Sequence, residues 1–209
     1  MTSAETARDN RPLFLFAHGA GAPSASPWMT AWKTRLATLG SVVSFDYPYM
    51  RERRRAPDKL PQLILAHREA LTKATAQHTG PVVLAGKSMG SRVGCHLALE
   101  EPSVRAVVCF GYPLKAPSKT GKVRDEVLLA LRVPILFLQG TRDPLCPLDL
   151  LAAVRAKMKA PSTLHVVEGG DHSLTVSATA LRAAGEKQAD SDARVLAAVA
   201  QFLRVTLDG

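Results

Sequence analysis

Gly86-Lys87-Ser88-Met89-Gly90 decides the reading of this chain. The five residues follow the apolar run Pro81-Val82-Val83-Leu84-Ala85 and precede a helical pattern over 91–100. Strand, G-x-S-x-G and helix in that order is the setting of a nucleophile elbow. The turn is so tight that its serine takes strained backbone angles, and side chains two positions to either side would clash. Glycine at 86 and 90 removes those clashes and leaves the Ser88 hydroxyl clear of the sheet's edge. One rival pattern overlaps it, because Gly86-Lys87-Ser88 is also the tail of a phosphate-binding loop. That loop needs glycine at 81, where the chain has Pro81, and Val82 to Ala85 form an apolar strand that cannot curl its amides around a phosphate.

Outward from the elbow, six short apolar runs recur: Leu13-Phe14-Leu15-Phe16, Ser41-Val42-Val43-Ser44-Phe45, Val82-Val83-Leu84-Ala85, Ala106-Val107-Val108-Cys109-Phe110, Ile135-Leu136-Phe137-Leu138 and Leu164-His165-Val166-Val167. Near-continuous apolar strands alternating with helical periodicity predict an α/β fold, a parallel sheet of about six strands with helices on both faces. Ser26-Pro27 should open a helix that Gly40 closes, and Pro57-Asp58 should open the next. Pro147 should open a helix reaching about Met158, and 189–205 carries Val195, Leu196, Val199, Phe202 and Leu203 on one stripe. Between the fourth and fifth strands only 111–134 is available, with one helical stretch at 124–132. That is too short for a multi-helix cap, so an open, shallow cleft favouring short or exposed acyl groups is expected.

At 209 residues and 46% hydrophobic, the chain can bury a full core, and residues 1–209 read as one domain with 1–11 flexible. The first eleven residues lack the apolar block of a signal peptide, and no run approaches the roughly eighteen apolar residues of a membrane span. Cys95, Cys109 and Cys146 are scattered, without metal-ligand spacing, and two of them fall in apolar segments. A reduced cytoplasm is the expected location, with neither cofactor nor metal. The net charge of +9 points to an anionic substrate or to plain solvated surface.

A serine needs a base, and the base needs an orienting carboxylate. Asp143 follows the fifth strand, in Gln139-Gly140-Thr141-Arg142-Asp143-Pro144, and His172 follows the sixth, in Glu168-Gly169-Gly170-Asp171-His172-Ser173. Both lie just past a strand, in the order nucleophile, acid, base. His165 competes as base from within a strand, and Asp171 competes as acid from beside His172, where it would more easily point away. Two backbone N–H donors should face the developing oxyanion: Met89, at the start of the following helix, and Ala20, in Ala17-His18-Gly19-Ala20-Gly21-Ala22-Pro23. His18 reads as structural, bracing that loop from below. Basic clusters at 51–55 and 115–124 emerge on the same face of the sheet as Ser88. Arg53, Arg54, Lys115 and Lys119 are therefore candidates for a rim that attracts anionic substrates, with solvated charge or pairing to Glu52, Asp125 and Glu126 as the competing reading. No recognition helix or aromatic-basic interleaving accompanies the charge, so nucleic acid is not an expected partner.

With these residues in place, the chain resembles the α/β-hydrolase superfamily, through His18-Gly19-Ala20-Gly21, the elbow, Asp143 and His172. More narrowly it is similar to a small lidless group that includes a testis-expressed mammalian protein and a subunit of a nuclear acetyltransferase complex. Tyr47-Pro48-Tyr49-Met50, Ser91-Arg92 after the elbow, Gly111-Tyr112-Pro113-Leu114 and Gln139 to Asp143 carry that match. The resemblance implies a core of six parallel strands, with Ser88 as nucleophile, Asp143 as acid and His172 as base. Some members of the group are thought to act as scaffolds. Two functions therefore stay open: a serine hydrolase acting on a small ester or thioester, and a non-catalytic interaction module on a hydrolase scaffold. The complete triad and both glycine-flanked loops favour the enzyme.

Overall fold

The alternation of buried side chains along each strand builds this fold. The computed structural model describes residues 11–116 and 121–207. The stretch expected to be flexible, apart from Arg11, and Lys119 lie outside the described residues. Strands β1 (Leu13–Ala17), β2 (Ser41–Phe45), β3 (Val82–Lys87), β4 (Val104–Phe110), β5 (Ile135–Gly140) and β6 (Ser162–Val167) form one parallel sheet. Their order is β2-β1-β3-β4-β5-β6. Helices α1 (Pro27–Leu36), α2 (Pro48–Arg51), α3 (Leu60–Thr75), α4 (Met89–Ala98), α5 (Glu126–Ala130), α6 (Leu148–Arg155), α7 (Ala178–Ala184) and α8 (Gln188–Leu207) fill the connections and the C-terminal end.

Because successive side chains point to opposite faces, each strand feeds two cores. Leu15, Leu84, Val107, Cys109 and Phe137 pack on one face against Leu71 of α3, Cys95 and Leu97 of α4, and Leu151 of α6. Phe14, Phe16, Val83, Val108 and Phe110 pack on the other against Trp32 and Leu36 of α1 and Val199 and Phe202 of α8. Full burial of each large apolar side chain contributes about 1.5–3 kcal/mol, so both helical layers are needed to cover the sheet.

Register then places the loops. Ala17 is level with Gly86, Lys87 with Phe110, and Phe110 with Leu138, so the strands end along one line. The chain leaves β1 toward β2 on one side and leaves β3 toward β4 on the other. Their loops part at this switch in strand order, where open α/β sheets bind ligands.

Several helix boundaries differ from the sequence expectation. Helix α3 starts at Leu60 rather than at Pro57-Asp58. Asp58 does not cap it, because its carboxylate accepts from the Tyr49 amide at 3.0 Å and from Arg54 at 2.6 Å. Helix α6 ends at Arg155, short of Met158. Two helices carried no periodic signal: α2 is a single turn, and α7 buries no residue and so has no apolar stripe. Between β4 and β5 the described residues hold α5 alone and no cap domain.

Candidate active site

Ser88 sits between the last residue of β3 and the first of α4 with φ 50° and ψ −112°. Three contacts enforce that unusual backbone. The Ser88 amide continues the ladder to Phe110 O at 3.0 Å, the Arg92 amide donates to Ser88 O at 3.2 Å, and Ser91 Oγ donates to Gly86 O at 2.6 Å. A Cβ at Gly86 would lie 2.3 Å from the Ser91 nitrogen, and one at Gly90 would lie 2.5 Å from Ala17 O. The glycines are required by close approach, as the motif predicts. Ser88 occupies the N-cap of α4, but its hydroxyl makes no capping bond. It is engaged elsewhere.

That partner is His172. Its Nε2 lies 2.8 Å from Ser88 Oγ, and its Nδ1 lies 2.7 Å from Asp143 Oδ2. The loop after β5 brings Asp143 in, nearly fully buried, with Gln139 Nε2 donating to Oδ2 at 2.6 Å and the Leu145 amide to Oδ1 at 2.8 Å. Burial opposes ionisation of this carboxyl, but the His172 hydrogen bond and charge, followed by Gln139 and Leu145, outweigh it and hold the pKa below its ordinary value. The loop after β6 carries His172. Asp171, the competing acid, is not the ring's partner and instead ties that loop, its Oδ1 accepting from the Ser173 amide at 2.7 Å and the Thr175 amide at 2.9 Å. Trp28 Nε1 donates to Ser173 O at 2.9 Å and anchors the loop to α1. The competing base, His165, lies half-buried within β6 and is paired in register with Leu138.

The loop after β1 is oriented from below. The Tyr47 amide donates to Nε2 of buried His18 at 3.2 Å, so that nitrogen carries no proton. Neutral His18 then donates from Nδ1 to Gly19 O at 2.6 Å, and burial, the largest influence on it, lowers its pKa and favours the neutral ring. With the Gly19 carbonyl held inward, the Ala20 N–H of the same trans peptide points the opposite way. Tyr49 Oη donates to Ala20 O at 3.0 Å and fixes the next peptide. Among the described residues the Ala20 amide donates to no acceptor. The Met89 amide, first in α4, has no intrahelical partner.

These elements surround a cleft of about 650 Å3, within the range typical of small-molecule sites. Ser88, His172, Ala20 and Met89 line it, with apolar walls that include Trp28 and Leu145. The expected basic rim needs correcting. Arg53 and Arg54 line a separate hollow beside the β1–α1 loop, and Arg54 is paired with Glu52 at 2.7 Å as well as with Asp58. Lys115 is half-buried, bridged to Val123, and does not line the Ser88 cleft. The loops bend these side chains off the cleft although they emerge on its face of the sheet. Among the described residues the lysines and arginines lining it are Lys87, Arg92 and Arg124. Lys87 lies inside the elbow motif and Arg92 two residues past it, at a strand end and at a helix position one turn on from Ser88. Lys87 Nζ donates to His172 O and lies 5.4 Å over the Trp28 ring. Burial pushes its pKa down to about 8, against the pull of Asp143 and Asp171.

A family model described as an alpha/beta hydrolase domain matches residues 10–204. The chain belongs to the alpha/beta hydrolase family. Solved structures agree on the fold of this alpha/beta hydrolase. An alpha-beta serine hydrolase homologue from Coxiella burnetii matches at TM-score 0.65 and 17% identity, covering 80% of each chain. Est1E from Butyrivibrio proteoclasticus matches at 0.67 and 15%, covering 96% of this chain and 90% of its own. A dienelactone hydrolase from Anabaena variabilis matches at 0.67 and 20%, covering 97% and 88%. No helix among the described residues is long and apolar enough to cross a membrane.

Proposed function

We propose that this alpha/beta hydrolase is a serine hydrolase of carboxylesterase or thioesterase type, acting on a small ester-like substrate. The unbroken chain from Ser88 Oγ to His172 at 2.8 Å and from His172 to Asp143 at 2.7 Å carries the reading. Ser88 Oγ attacks the carbonyl carbon as His172 Nε2 takes its proton. The Asp143 carboxylate accepts from Nδ1–H, fixing the tautomer that leaves Nε2 free to act as base, and stabilises the imidazolium. The negative charge on the substrate oxygen meets the Ala20 and Met89 amides, each worth on the order of 3 kcal/mol in such sites. Collapse passes the His172 proton to the departing alcohol or thiol. Water, activated by the same imidazole, then releases the acid from Ser88. The uncovered cleft supports a preference for short or exposed acyl groups.

The structural neighbours include an esterase also solved with ferulic acid and a dienelactone hydrolase, which fits small-molecule esters. The motifs around Tyr47, Ser91-Arg92 and Tyr112 support placing the chain with the small lidless group of the family. We also read the chain as one domain working in the cytoplasm. Hydrolysis of 4-nitrophenyl acetate and butyrate tests the mechanism. Ser88→Ala should abolish turnover, and Asp143→Asn should lower kcat about 10⁴-fold by favouring the wrong His172 tautomer. Undiminished hydrolysis by Ser88→Ala would defeat the assignment.

A further inference from the structure

Two arginines in the cleft have no carboxylate in direct contact with them, although the charge of Arg92 reaches Glu126. Arg92 stands one helical turn beyond the elbow, and side chains on a helix lean toward its N-terminus, so this one lies back over the turn that bears Ser88. Arg124 enters from the β4–α5 connection, its amide donating to Leu114 O at 2.8 Å and its carbonyl accepting from Tyr112 Oη at 3.2 Å. Both are half-buried, and both line the cleft beside Met89, Pro113 and Leu145. Among the described residues neither guanidinium forms an ion pair or hydrogen bond, and Arg92 Nε is buried without any partner. Burial, then the like charge of Arg92, lowers the pKa of Arg124, which marks the two as neighbours.

Asp58, which lines the cleft, and Asp143 and Glu126 beside it are engaged elsewhere. Asp58 holds Arg54 and the Tyr49 amide, Asp143 holds His172, Gln139 and the Leu145 amide, and Glu126 holds Lys122 at 3.2 Å. Two like charges against an apolar wall repel each other and lose hydration, and an anion placed between them reverses both costs. The loop that carries His172, which hands its proton to the leaving group, is tied to α1 by the Trp28 Nε1 bond to Ser173 O. Arg92 rises from α4, which covers the opposite face of the sheet from α1. The part of the substrate on that side is the acyl chain.

We propose that Arg92 and Arg124 form a subsite for an anionic oxygen group, a carboxylate or a phosphate, on the acyl chain of the ester that Ser88 attacks. The subsite rests on the reading of Ser88 as the nucleophile. Its test compares kcat/KM for 4-nitrophenyl hemiglutarate and 4-nitrophenyl 4-phosphonobutyrate, each against neutral 4-nitrophenyl butyrate. The wild type should favour at least one charged ester, and which one identifies the anion. In the double variant Arg92→Gln/Arg124→Gln the charged-to-neutral ratio should fall by about tenfold or more. The double Lys variant, which keeps the charges but not the bidentate fork, should recover part of it. A wild type that favours the neutral ester, or a ratio equal in wild type and Gln variant, overturns the proposal. If none of the three esters is turned over, the catalytic reading fails while the subsite is still decided by binding. Glutarate or inorganic phosphate should then bind saturably to the wild type in calorimetric titration and not to the Gln variant. A signal absent from the wild type, or kept by the variant, rejects it.

Discussion

Ser88 and Arg53 share an unusual backbone, with φ of 50° and 57°. Each sits in a segment rich in cations on the same side of the sheet. Their surroundings differ. Ser88 is walled by Phe110, Gly86, Gly90 and Ala17, so no small movement relaxes it. Arg53 lies in an exposed turn after α2, where its amide donates to Met50 O at 3.1 Å and the neighbouring Arg54 is drawn off by Glu52 and Asp58. The same dihedral is held by packing in one place and is a local turn conformation in the other. The charges follow the same division, since Arg92 is carried on a packed helix facing the cleft and Arg54 folds onto its own loop. Strain and charge inform about function where the surrounding structure leaves them no alternative.

Substitution separates the two positions. Gly90→Ala puts a methyl 2.5 Å from Ala17 O and 2.7 Å from His18 O, backbone atoms that cannot step aside. It should cost about 3 kcal/mol of stability in urea unfolding and remove most esterase activity. A variant that folds and works normally would mean that the elbow is looser than its contacts indicate. At the other end of the scale, Arg53→Gly should change stability by about 0.5 kcal/mol or less and leave ester hydrolysis within about twofold.

An effect of intermediate size comes from beneath the elbow. His67 is fully buried under the β1 loop, hydrogen-bonded through Nδ1 to Tyr47 Oη at 3.1 Å. Burial, then the nearby His18, lowers its pKa to about 3 from the ordinary 6.5. Below pH 6.5 the unfolded chain takes up a proton that folded His67 refuses, so stability falls as pH drops from about 6.5 toward about 3. In His67→Gln the slope of unfolding free energy against pH over that window should be shallower by about one proton. An unchanged slope would show that this imidazole protonates in place.

Much of this was legible in the sequence because the strands are buried on both faces and so read as continuous apolar runs. The six runs found the six strands, and strand ends then located Ser88, Asp143 and His172, because a parallel sheet puts every such end on one edge. Short or unburied helices such as α2 and α7 were invisible, since no apolar stripe marks them. Cation placement was the harder problem. Charge density drew attention to 51–55, but local pairing decides where an arginine points. Arg92, in view four residues after Ser88, needed only helical periodicity to be placed beside the nucleophile. Arg124 ends the 115–124 cluster that the sequence puts on the Ser88 face, but that it enters the cleft while Lys115 does not follows only from the traced β4–α5 connection.

The central claim is that Ser88, held at the elbow and bonded to His172, is an activated nucleophile. Reaction with a fluorophosphonate probe, followed by peptide mapping of the adduct, tests it without knowledge of the substrate. The account predicts one stoichiometric adduct on Ser88, absent from Ser88→Ala and strongly slowed in His172→Gln. No adduct on folded wild-type protein, or an adduct on another residue that survives Ser88→Ala, would contradict it.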